Sequence, residues 1–141
     1  MTTARQRPIL VASLYGALLA AAANTIIYVV CYVTGIIPWN MLSPGRGVSI
    51  TPRLVILVSL SGALVGALIY AIIRRVSSTP VRTFRIVAAL VLLVSFLAPL
   101  AIPTFTTSLT IALDVMHTVV YLATVWALTV WTNPWRATAT A

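Results

Sequence analysis

Residues 9–34 read ILVASLYGALLAAAANTIIYVVCYVT, and this stretch decides the fold. It holds no charged side chain and exceeds the roughly 20 apolar residues that cross about 30 Å of hydrocarbon. A secretory leader competes for the same segment. Arg5 and Arg7 precede the run, and Ala21-Ala22-Ala23 offers a small-residue cleavage site. The apolar pattern continues past those alanines through Ile26, Ile27, Val29 and Val30 to Val33. That is too long for a leader core of about 7–15 residues. A retained transmembrane helix is expected.

Three more stretches repeat the pattern, at residues 54–73, 81–102 and 107–131. None alternates apolar and polar residues as a barrel strand does. The expected fold is all-α, a four-transmembrane-helix bundle forming one integral membrane domain over residues 1–141. Composition agrees. Of 141 residues, 61% are apolar and 7% charged, against about 45–50% and 25% in soluble domains. A water-soluble globule and a disordered chain are both excluded.

The span boundaries carry capping signals. Thr51-Pro52 precedes the second span and Thr79-Pro80 the third. Threonine can accept from an orphan N–H, and proline at the first helical position forfeits no bond. Pro99 is expected to kink or end the third span. The short link from Pro103 to Thr106 makes the third and fourth spans antiparallel neighbours. In the longer loop, Ile36-Ile37-Pro38-Trp39 reads as an interfacial anchor and Ser43-Pro44-Gly45-Arg46-Gly47 as a turn.

Nine arginines, one aspartate and one histidine give a net charge of +8. The arginines flank apolar runs instead of forming a basic surface, so anionic lipid headgroups, and not nucleic acid, are the expected partner. Arg5, Arg7, Arg74, Arg75, Arg82, Arg85 and Arg136 fall on one side, Arg46 and Arg53 on the other. By the positive-inside rule both termini are expected in the cytoplasm, with the chain multi-pass in the cell inner (plasma) membrane. Trp39, Trp131 and Trp135 lie near span ends, where aromatic belts sit. Arg74, Arg75, Arg82 and Arg85 form a dense cluster suited to lipid phosphate or to a partner.

The fourth span carries a polar seam: Thr107, Thr110, Asp114, His117, Tyr121, Thr124, Leu128, Trp131. Steps of three and four place these on one face, and lipid offers their hydrogen-bonding groups no partner. Asp114 is the single acid. An ionised aspartate at a span centre costs about 2.5–3.5 kcal/mol on insertion scales. His117 sits one turn on, so Asp114 either orients His117 or shares a proton with it. Ala12, Gly16, Ala20, Asn24 and Tyr28 recur every four residues in the first span, a small-residue face for close helix approach. Asn24 is expected to bond the Asp114/His117 pair. Gly62-x-x-x-Gly66, with Ser59 and Ala63, suits packing within the bundle.

The stretch from Pro80-Val81-Arg82-Thr83-Phe84-Arg85 into Ile86-Val87-Ala88-Ala89 resembles a family of small bacterial four-helix membrane proteins, classed as a domain of unknown function. The Met116-His117 segment and the Asn24 region are similar too. The resemblance spans about Leu10 to Val130. It implies the topology above and an uncharacterised role, and it brings no activity, ligand or catalytic residue.

One histidine, one aspartate and the lone Cys31 are too few for a closed metal site. No cofactor is expected, since a haem role for His117 would need a second ligand from another chain. No nucleophile–base–acid set, phosphate loop or carboxylate pair points to an enzyme. Two readings stand: a structural or accessory bundle packing with itself or a larger membrane complex, and a small proton-coupled transporter or channel using Asn24, Asp114, His117 and Tyr121. A membrane enzyme or redox subunit using His117 trails both.

Overall fold

A computed structural model describes residues 9–37, 42–43, 48–103 and 105–131. Helix α1 (Ile9–Val33) fills the first span. It ends at Gly35, whose φ of 76° suits a residue without a Cβ; its N–H bonds the Tyr32 carbonyl at 3.2 Å. Two-residue strands β1 (Leu42–Ser43) and β2 (Val48–Ser49) pair antiparallel, Leu42 opposite Ser49. Helix α2 (Pro52–Val76) starts three residues after β2. Helix α3 (Pro80–Ser95), the short α4 (Leu97–Leu100) and α5 (Thr107–Trp131) complete the chain.

Four segments are long and apolar enough to cross a membrane: α1, α2, α3 with α4, and α5. The architecture is thus the all-α, four-span bundle expected from the sequence. One end carries the α2–α3 link and is called the arginine end; the other carries β1–β2 and is called the hairpin end. Arg5, Arg7, Arg46, Arg136, Trp39 and Trp135 lie outside the described residues, as do Pro38 and the turn at residues 44–47.

The helix starts differ. Thr51 caps α2 as expected, its Oγ1 accepting from Leu54 N–H at 3.2 Å. Thr79 makes no such cap bond. Ser77 takes over instead: its Oγ accepts from Thr79 N–H at 3.2 Å and meets Thr83 Oγ1 at 2.9 Å. The third span is also not one continuous helix. Pro99 has no N–H for the Ser95 carbonyl, and its ring crowds that carbonyl, so the helix breaks at Phe96 and resumes as α4.

Helix α1 is the centre, packing most extensively on α2 and α5. Its four-residue face is buried as the spacing predicts: Ala12, Gly16, Ala20, Asn24 and Tyr28. Lipid tails are as apolar as leucine, so close packing of small groups must replace the hydrophobic drive between helices. At Gly16 an added Cβ would stand 3.0 Å from Ala127 Cβ and 3.1 Å from the Ala123 carbonyl oxygen. Gly62 and Gly66 likewise press α2 onto α5, against Val120 and Thr124. Ile37, expected as an interfacial anchor, is buried instead, in a cluster with Tyr28, Cys31, Val55 and Leu109.

Helix α3 is held differently. Phe84 is its one buried side chain among the described residues, tilted against Tyr70 with ring centroids 4.8 Å apart. Leu90, Leu93 and Val94 are exposed, a surface suited to lipid. Tight contact at the arginine end and loose contact beyond it leave space between α3 and the α2–α5 pair.

Candidate intramembrane polar site

The polar groups fall on two sides of α5. Its α1-facing side is apolar and buried, with Leu109, Ala112, Met116, Ala123 and Ala127. The seam read from sequence lies on the flank of that face: Asp114, His117 and Tyr121 are half-buried, Thr124 is buried and Thr107 is exposed.

Asn24 is 2% exposed and reaches across the bundle. Its Nδ2 donates to Ser59 Oγ at 3.0 Å and to the Met116 carbonyl at 3.1 Å. One amide thereby ties α1 to α2 and α5. A carbonyl only accepts, so the Met116 bond fixes which way the amide points. This corrects the sequence expectation: Asn24 bonds the backbone beside His117, not the Asp114 or His117 side chain. Its Oδ1 is buried with no partner.

Asp114 and His117 do not share a bond either. His117 Nδ1 lies 2.8 Å from the Leu113 carbonyl of its own helix. Nδ1 must carry the hydrogen there, so in a neutral imidazole Nε2 would be an acceptor. Asp114 Oδ1 is buried without a partner. Consecutive turns of one helix brought the two residues to one flank, but the ring turned to the nearest backbone carbonyl.

Two cavities run along the cleft that α2 and α5 form with the third span, the larger beside α4 and the second beside α3. The larger, about 500 Å³, extends from Ile50, Pro103 and Phe105 at the hairpin end to Asn24, Ser59 and His117. The second, about 250 Å³, continues toward Phe84 and takes in Tyr121 and Thr124. Thr124 Oγ1 is buried and unpartnered. His117 borders both cavities. The cleft thus gathers Asn24, His117 and Tyr121 from the sequence-derived set, while Asp114 borders neither. Ser59 was legible only as a small residue near Gly62; its role as Asn24's acceptor needs the α1–α2 register.

At the arginine end, Arg75, Arg82 and Arg85 are exposed and Arg74 is half-buried. Arg82 and Arg85 flank a surface groove with Thr79, Pro80 and Ile86. Among the described residues no group of three or more His, Cys, Asp or Glu side chains could hold a metal ion.

Four apolar spans around a small-residue core define a multi-pass membrane protein. The chain belongs to a family of unknown function (DUF6069), whose profile matches residues 4–133. Comparison with curated proteins and with solved structures returns no match.

Proposed function

We propose that this chain is a structural or accessory bundle of the plasma membrane, packing with copies of itself or with a larger membrane complex. Its role is non-enzymatic. The observation that carries this reading is the Asn24 amide, a buried polar group used to fix three helices at one point. Interhelical polar clamps of this kind specify packing. The arginine end faces the cytoplasm in this reading, with Arg74, Arg75, Arg82 and Arg85 on anionic headgroups. The test is purification of tagged protein in mild detergent from its own host, with mass spectrometry of what accompanies it. A stoichiometric partner or a defined homo-oligomer is expected; a lone monomer would sink the reading.

One observation favours a second reading, a small proton-coupled transporter or channel: His117 borders both cavities of the cleft. In that case reconstituted vesicles would show a flux that Asp114→Asn or His117→Phe abolishes while the protein still folds.

A further inference from the structure

The 500 Å³ cavity lies within the roughly 300–1,000 Å³ of small-molecule sites. Its walls are apolar, with Leu54, Ile102 and Phe105 among them, and its polar groups collect at the deep end. Asn24 stands nine residues before the end of α1, or about 14 Å at 1.5 Å per residue. A molecule entering from the hairpin end meets hydrocarbon first and hydrogen-bonding groups last.

Those groups specify the molecule's head. Asn24 Oδ1 is a buried acceptor without a donor. In the neutral ring, with the hydrogen on Nδ1 bonded to Leu113, His117 Nε2 is a second acceptor. Ser59 Oγ accepts from Asn24, and its own hydrogen has no acceptor among the described hydrogen bonds. Leaving such groups unmet in hydrocarbon costs free energy. Among the described residues no arginine or carboxylate lines the cavity, so a charged head would be desolvated without a counter-ion from them. A neutral hydroxyl meets two of these groups at once: it accepts from Ser59 and donates its one hydrogen to Asn24 Oδ1 or His117 Nε2.

We propose that this cavity binds a neutral, lipid-soluble alcohol, its hydroxyl donating to Asn24 Oδ1 or His117 Nε2 and its apolar chain running toward Phe105. The site is independent of whether a partner chain is found, because every group it uses belongs to this chain.

The experiment is photolabelling of full-length protein in nanodiscs with a diazirine-bearing geranylgeraniol, followed by peptide mapping. Label is expected on α2 near Leu54 and Ser59 and on α5 near Leu113 and Val120. Unlabelled geranylgeraniol should compete at concentrations at least tenfold below its methyl ether, which keeps the chain and loses the donor. This comparison uses the unaltered protein and does not depend on a variant folding. Ile102→Trp, which fills the cavity away from the Asn24 bonds, should abolish the mapped label. Equal competition by alcohol and ether would mean that an acyl chain or water fills the space, and would overturn the proposal. Label spread over lipid-facing α1 residues such as Leu18 and Val29, or no saturable label, would overturn it too.

Discussion

At the scale of single residues, the close approaches of α5 divide into those that can give and those that cannot. A Cβ on Gly66 would meet only the Thr124 Cγ2 methyl, at 2.8 Å. A Cβ on Gly16 would meet the Ala123 carbonyl oxygen, which is backbone, at 3.1 Å. Overpacking costs about 1–3 kcal/mol where neighbours cannot move. Gly66→Ala should therefore be destabilising alone and largely rescued by Thr124→Ser, which deletes the offending methyl and keeps the hydroxyl. Gly16→Ala should not be rescued by Ala127→Gly, because the Ala123 carbonyl remains. Unfolding in mixed micelles, run as two double-mutant cycles, reads both outcomes. Equal rescue at the two sites would show that backbone and side-chain contacts are equally yielding here. Asn24→Leu tests the clamp. Interhelical hydrogen bonds in membranes average about 0.6 kcal/mol with a maximum near 1.7, so losing two should cost about 1–2 kcal/mol by the same assay. A neutral result would mean that α1 is seated by its small residues alone.

At the scale of elements, the third span is the one whose behaviour departs from its composition. It is apolar enough to cross a membrane in one piece, yet it is built as α3 and α4 about a break at Phe96. The break places Ala98, Pro99 and Ile102 on the wall of the larger cavity, so the kink shapes the cleft. Pro99→Ala should return an N–H to the Ser95 carbonyl and straighten the span. Spin labels at positions 86 and 100, in a Cys31→Ser background, would report it. Fourteen residues of straight helix rise about 21 Å, and the variant's label separation should lengthen toward that value. An unchanged separation would place the cause of the break in packing against α5 instead of in the proline. Reading Pro99 as a breaker was possible from sequence because the effect is local to four residues. Ser77 replacing Thr79 as the capping group was not legible. Both residues can accept a bond, and the backbone angles at Thr79, φ −127° and ψ 63°, decide between them.

At the scale of the whole molecule, the number of spans, their antiparallel order and the buried face of α1 were all legible, because hydropathy and four-residue spacing act along one helix at a time. The polar site was legible only in part. Asn24 was placed opposite α5 by its neighbours Ala20 and Tyr28, but its acceptors, Ser59 and the Met116 carbonyl, depend on the relative rotation of three helices, which no single-helix pattern encodes. Asp114 and His117 shared a face as spacing requires, and a shared face still left each ring and carboxylate free to choose backbone or cavity. Orientation in the membrane is likewise a property of the whole chain, set by the sum of its arginines. On the sequence reading, seven are expected on the side of the α2–α3 link and two on the other. Converting Arg74, Arg75, Arg82 and Arg85 together to glutamine would leave Arg5, Arg7 and Arg136 against Arg46 and Arg53, close to balance. Since lysine and arginine bias sets topology, the four-fold variant should insert in both orientations. A cysteine at exposed position 78, in the Cys31→Ser background, makes this measurable. With the arginines intact, a membrane-impermeant maleimide added outside whole cells should not reach it. In the glutamine variant a substantial fraction should be labelled. Full labelling with the arginines intact would reverse the orientation, and no labelling in either case would locate the determinant in Arg5 and Arg7.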